Sequence, residues 1–209
     1  MSSKKQTNYA FIDSQNLNLG VRSLGWRLDY KKLRLYLRNK YDIEIAYMFI
    51  GMVANNQKLY TQLQQAGFVL IFKPTVRYFV NGKETVKGNV DAELVLQASA
   101  IDFPNYNKAI IVSGDGDFMC LVQFLVDRKK LLHVMTPNAK YSQLLKPFSS
   151  YIVRIDQLRS SLEYKKDRHR RSVETLGLSG HGDNKNIANA SKKVNTKQMV
   201  PPKSNKGKK

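Results

Sequence analysis

Short apolar runs separated by stretches with helical spacing are the feature that most limits what this chain can become. The runs are Tyr9-Ala10-Phe11-Ile12, Ile43 to Ile50, Val69-Leu70-Ile71-Phe72, Ala109 to Val112, Leu131 to Met135 and Tyr151-Ile152-Val153, all β-branched or aromatic in character. Most lack the apolar–polar alternation of a one-sided strand and so read as strands covered on both faces. Between them, Asp29 to Asn39, Asn55 to Ala66, Val90 to Ile101 and Asp117 to Arg128 place apolar residues at i, i+3 and i+4, the pattern of helices with one buried face. Strand and helix in alternation predict a three-layer α/β/α sandwich with a mainly parallel sheet and right-handed crossovers.

One stretch departs from this rhythm. Val76 to Val86 carries Asn81-Gly82 between β-type flanks, the signature of a two-residue type I′ hairpin. It reads either as an ordinary surface hairpin or as a flap that touches substrate. For the flap, Lys73, Arg77, Tyr78, Lys83 and Lys87 mix cations with aromatics as single-strand nucleic-acid binders do.

Composition sets the outer bounds. A chain of 209 residues, 42% hydrophobic, supports one core; a domain of about 150 residues would bury ~70% of its unfolded surface. From about Leu158 large apolar groups thin out, and Lys165 to Arg171 leads into Gly, Asn, Ser and Lys. The folded domain is therefore expected over residues 6–160. Residues 161–209 are expected to form a basic, disordered tail after a short helical start. No apolar stretch approaches the ~20 residues that cross a bilayer, and Met1 to Gln6 has no apolar signal core, so a soluble, cytoplasmic protein without a membrane partner is expected. The lone cysteine, Cys120, lies in an apolar helical pattern and reads as a buried, inert thiol.

Charge points to the partner. The sequence holds 35 Lys+Arg against 16 Asp+Glu, a net +19, and a polyanion is the natural ligand. Both parts carry the excess: residues 159–209 have 14 basic and 4 acidic side chains, residues 1–158 have 21 and 12. Composition leaves homodimer formation open.

Ligands of open α/β sheets sit beyond the carboxyl ends of the strands, so polar residues that directly follow an apolar run are where chemistry is expected. Ile12 is followed by Asp13-Ser14-Gln15-Asn16, Val112 by Ser113-Gly114-Asp115-Gly116-Asp117, and the hairpin runs through Lys87-Gly88-Asn89-Val90 into Asp91 at a helix start. Singly, each acid could be a helix cap or turn residue. Jointly, four carboxylates that repel one another are costly unless a divalent cation neutralises them. Oxygen-only ligands favour Mg²⁺ or Mn²⁺ over zinc. His133, His169 and His181 lie scattered, and Phe118-Met119 after Asp117 fits neither a calcium loop nor an aspartyl phosphatase.

Phe11-Ile12-Asp13-x-x-Asn16-Leu17, Lys87-Gly88-Asn89-Val90-Asp91 and Ser113-Gly114-Asp115-Gly116-Asp117-Phe118 resemble, in that order and spacing, the NYN-domain branch of the PIN-like nucleases, over about residues 8–155. The resemblance implies a PIN-like, Rossmann-like fold in which Asp13, Asp91, Asp115 and Asp117 bind one or two Mg²⁺ or Mn²⁺ ions and act in catalysis. It implies that Asn16 and Ser113 orient substrate or the acids; Asn89, Lys87 and Arg77 are further candidates for substrate binding. Position 14 is Ser where many members have Gly. The activity so implied is metal-dependent hydrolysis of phosphodiester bonds, with single-stranded RNA preferred and DNA open. The alternative is a non-catalytic RNA-binding or adaptor module on the same scaffold.

Overall fold

The computed structural model describes residues 7–52, 56–73, 76–80, 83–87 and 90–165, with 76–80 and 83–87 given by strand pairing alone. Every apolar run becomes a strand: β1 (Asn8–Asp13), β2 (Ile43–Gly51), β3 (Val69–Lys73), β4 (Val76–Val80), β5 (Lys83–Lys87), β6 (Lys108–Val112), β7 (Leu131–Thr136) and β8 (Ile152–Arg154). Six of them form one sheet in the order β3-β2-β1-β6-β7-β8, with every neighbouring pair parallel. Chain order thus runs outward from the middle in both directions, and it reverses between β1 and β6. In doubly wound sheets that reversal opens a crevice at the strands' carboxyl ends.

Helices α1 (Ser14–Arg22), α2 (Tyr30–Tyr41), α3 (Gln57–Gln65), α4 (Asp91–Leu96), α5 (Met119–Asp127) and α6 (Arg159–Leu162) fill the connections. Leu17 and Val21 of α1, Leu33 and Leu37 of α2, Leu63 of α3 and Leu162 of α6 pack on one sheet face, against Ala10, Ile12, Met48, Ile110 and Val112. Leu94 of α4, Ala98 in the π-helical turn that follows it (Gln97–Ile101), and Leu121 and Leu125 of α5 pack on the other, against Phe11, Phe49, Ile111 and Val134. The predicted sandwich is therefore what forms. Burial of each such leucine stabilises by roughly 1.5–3 kcal/mol, which is why the alternating pattern decides the layers.

The hairpin also forms as an antiparallel pair, and the register Val80↔Lys83 leaves Asn81 and Gly82 between its strands. Those two residues, the hairpin side chains and the tail beyond Lys165 lie outside what the structure describes.

Five local features depart from the sequence reading or add to it. Cys120 is exposed, because α5 buries Leu121, Val122 and Leu125 and turns position 120 outward. The run Val69 to Phe72 is an edge strand and not one covered on both faces, with Val69 46% and Phe72 39% exposed. Ser14–Arg22, left unassigned from sequence, is helix α1, and Gln143–Tyr151 forms 3₁₀ turns around Pro147. At the C-terminal end, Leu162 is 1% exposed, Leu28 bridges to Glu163, and Tyr164 N–H donates to Arg27 O, so ordered packing passes residue 160. Among the described residues, no helix is long and apolar enough to cross a membrane.

Candidate active site

At the end of β1 the Asp13 side chain accepts hydrogen bonds from the backbone amides of Gln15 and Asn16, both at 3.1 Å, and so caps α1. The cap turns the chain sharply at the carboxyl end of this central strand and keeps the carboxylate beside the next one. There Ser113 Oγ donates to Asp13 Oδ2 at 3.3 Å and accepts from Asp115 N–H at 3.1 Å. Asn16 Oδ1 accepts from Gly114 N–H at 2.9 Å, which ties the α1 start to the turn after β6 a second time. Asp115 in turn caps the Gly116–Phe118 turn by accepting from Asp117 N–H at 3.1 Å. Gly116 has no room for a side chain, since a Cβ there would collide with Ser142 Oγ.

These turns surround a cleft of about 490 Å³ lined by Asp13, Asp91, Asp115 and Asp117. Asp91 enters from the first turn of α4, opposite the strand ends. The fourth wall is the loop after β7: Pro137, Asn138, Lys140 and Tyr141. Asn138 fixes that loop by donating from Nδ2 to Gly20 O of α1 at 2.8 Å and accepting Lys140 N–H at 2.8 Å. Gly20 permits the approach, because a Cβ there would lie 2.5 Å from Pro137 Cβ.

Asp13 is only 6% exposed, and its carboxyl is pushed above the ordinary range. Burial is the main cause, the Asn16 amide opposes it, and the nearby Asp91 carboxylate raises it further. Among the described residues, no cation figures in that shift. The donor set suits a hard divalent cation in kind: oxygens only, with a buried carboxyl beside a second one. It is not a closed cage, since among the described residues no three His, Cys, Asp or Glu side chains stand together as a metal-holding group.

Of the residues singled out from sequence, Asp13, Asn16, Asp91, Asp115 and Asp117 all line this cleft. Ser113, at 1% exposure, lies beneath it with its hydroxyl committed to Asp13 and Asp115. Asn89 lies outside the described residues. Arg77 and Lys87 lie on β4 and β5, pairing with Val86 and Val76, and their side chains lie outside the description. Sequence reasoning missed Asn138, Lys140 and Tyr141. The strand-end rule that singled out β1 and β6 applied equally to β7, which ends in Thr136-Pro137-Asn138 beside them.

Fold and cleft together define a doubly wound parallel α/β protein with an acid-lined crevice at the point where its strand order reverses. The family model for the NYN domain matches residues 9–156, and the chain belongs to that family. It is 22% identical over 161 residues to the low amplitude and bright protein LabA of Synechococcus elongatus, covering 73% of this chain and 86% of that one. It is 24% identical over 154 residues to the uncharacterized protein MJ0482 of Methanocaldococcus jannaschii, covering 71% of this chain but 58% of the relative. A crystal structure of VPA0982, a protein of unknown function from Vibrio parahaemolyticus, superposes with TM-score 0.65 at 24% identity, covering 78% of this chain and all (100%) of that one. At that identity the likeness speaks for the fold alone.

Proposed function

We propose that the cleft hydrolyses phosphodiester bonds of single-stranded RNA with the help of Mg²⁺ or Mn²⁺. One observation carries the reading: four aspartates from three distant segments line one crevice, and the most buried of them is held above the ordinary carboxyl range by burial and by a neighbouring carboxylate. Asp13, Asp91, Asp115 and Asp117, all oxygen donors on the cleft wall, would hold the ion. When bound, the ion supplies charge neutralisation and Lewis-acid activation for attack of water on phosphorus.

The chain's own residues do the positioning. Ser113 and the α1 amides hold Asp13 in one orientation, and the Asn16–Gly114 bond keeps the two strand ends in register. Lys140, on the opposite wall, gives an RNA phosphate a cation to meet as it passes the acids. The basic excess of the sequence and the family's nuclease character support a nucleic-acid substrate. The test is a cleavage assay on single-stranded RNA across Mg²⁺ and Mn²⁺. Asp13→Asn and Asp115→Asn are expected to lower turnover at least a hundredfold, the scale of a lost electrostatic stabiliser, with RNA binding retained. Unchanged cleavage in both variants sinks the proposal.

A second reading, a non-catalytic RNA-binding module, is favoured by the absence of a three-carboxylate group among the described residues. Saturable RNA binding with no product under any metal condition would select it.

A further inference from the structure

A second concave site lies on the face of the sheet that carries α1, α2 and α3. One stripe of α2, Lys32, Leu35, Tyr36, Asn39 and Lys40, spaced i, i+3, i+4, i+7 and i+8, lines a groove of about 330 Å³ together with Ser161 near α6's end. It shares no residue with the acid-lined cleft. Its Lys40 end lies toward the strands' amino ends: α2 ends just before β2 begins, and Asn8, at the start of β1, donates from Nδ2 to Tyr41 O at 2.9 Å.

Charge decides what this groove can take. Over Tyr30–Tyr41, α2 carries Lys31, Lys32, Arg34, Arg38 and Lys40 and no acid, and no carboxylate lines the groove. Lys32 Nζ spends one of its three donors on Glu163 O at 2.9 Å. Lys40 Nζ lies over the Tyr36 and Tyr41 rings, at 5.5 and 5.8 Å, which holds the ammonium beside the groove without neutralising it. The Tyr36 ring stands edge-on to Tyr41, with centroids 5.8 Å apart, and gives the groove an aromatic wall. Leu35, 56% exposed, adds apolar surface beside it.

The chain's own remaining segment does not suit the groove: residues 166–209 hold 12 Lys+Arg against 3 Asp+Glu and share its sign. A second copy of the groove would repel it for the same reason. We infer that the α2 groove is a second docking site for single-stranded RNA, in which Lys32 and Lys40 meet phosphates while Leu35 and Tyr36 give bases an apolar surface. A membrane surface is the weaker fit. Only one large apolar side chain, Leu35, stands exposed along α2, where membrane association wants a broad apolar face.

This site deepens the RNA reading of the protein but does not depend on cleavage. Binding is therefore measured on the full chain in EDTA, with a fluorescent single-stranded RNA as probe, at several salt concentrations. Lys40→Met and Asn39→Asp change exposed positions of α2, so the fold should persist, as a thermal melt checks. Each is expected to weaken binding severalfold; Lys40→Met should also make the log K against log salt slope shallower by about 0.7, the value of one single-strand phosphate. A 4-thiouridine-substituted RNA should photocross-link to the α2 stripe in the wild type. Unchanged affinity and slope in both variants, or cross-links confined to other segments, would overturn the site. Loss of sedimentation with phosphatidylserine vesicles while RNA affinity holds would reassign the groove to a lipid surface. RNA that is bound in the groove but never cleaved would sink the hydrolytic proposal and leave this one standing.

Discussion

At Asp13 a helix cap and a buried charge are the same carboxylate. The cap favours ionisation through two backbone amides, but burial and Asp91 outweigh them and the carboxyl is pushed up. A carboxyl whose folded pKa exceeds its unfolded value of about 3.9 binds its proton more tightly in the folded state. Its ionisation therefore costs stability above the folded pKa, and that cost is relieved as pH falls through it. Asp13→Asn keeps an oxygen for the α1 amides and removes the charge, so the metal-free variant should melt a few degrees higher than the wild type at pH 7. The gain should shrink as the solution is acidified. Millimolar Mg²⁺ should raise the wild-type melting temperature more than the variant's, since only the wild type keeps the full anionic set. A variant that melts lower at pH 7, with no difference in response to Mg²⁺, would mean that Asp13 serves only as a cap.

The loop after β7 shows the same division of labour at the level of an element. Asn138 joins it to α1 through Gly20 O and stiffens it through Lys140 N–H, while Thr136 Oγ1 donates back to Asn138 O at 3.2 Å. Asn138→Ala removes both side-chain bonds at a buried position, and urea denaturation should register a loss of about 1–3 kcal/mol. If the wall also places Lys140 for RNA, KM should rise more than kcat falls; an equal loss in both would tie the loop to the acids instead. The strand-end rule reaches this loop as it reaches those after β1 and β6, but its tie to α1 depends on a tertiary partner: Gly20 lies 118 residues upstream of Asn138. The strands and α2 to α5 were legible because burial on one or two faces writes a period into the residues. Helix α1 was not, since Ser14-Gln15-Asn16-Leu17-Asn18-Leu19-Gly20 is poor in helix formers, and its helicity rests on the Asp13 cap and on burial of Leu17 and Val21. The 3₁₀ turns at Gln143–Tyr151 were hidden by Pro147. Of the candidate site, the aspartates stood out from their place after apolar runs, whereas which of them lies deepest is a fact of packing.

Across the whole molecule, how far the described packing runs toward the C-terminal end decides what can be cut away. Leu162 packs with Trp26, Leu33 and Leu37, Tyr164 N–H bonds Arg27 O, and Lys32 Nζ bonds Glu163 O, so α6 closes the layer that α1 and α2 build. A chain ended at Lys165 keeps all of these contacts and should melt with the full protein. A chain ended at Leu158 loses the buried leucine and both backbone ties, and should lose about 2–5 kcal/mol, the scale of a core leucine removed. The two truncations separate folding from electrostatics, because the first removes only residues 166–209, with their 12 basic and 3 acidic side chains. That truncation should weaken RNA binding and make its salt dependence shallower while leaving the Mg²⁺-dependent rise in melting temperature intact. The remaining affinity must then come from cations of the folded domain, and Lys40→Met in the truncated chain should lower it further. If removing the segment changes neither affinity nor slope, the folded domain holds every phosphate contact and the basic extension is a bystander to RNA binding.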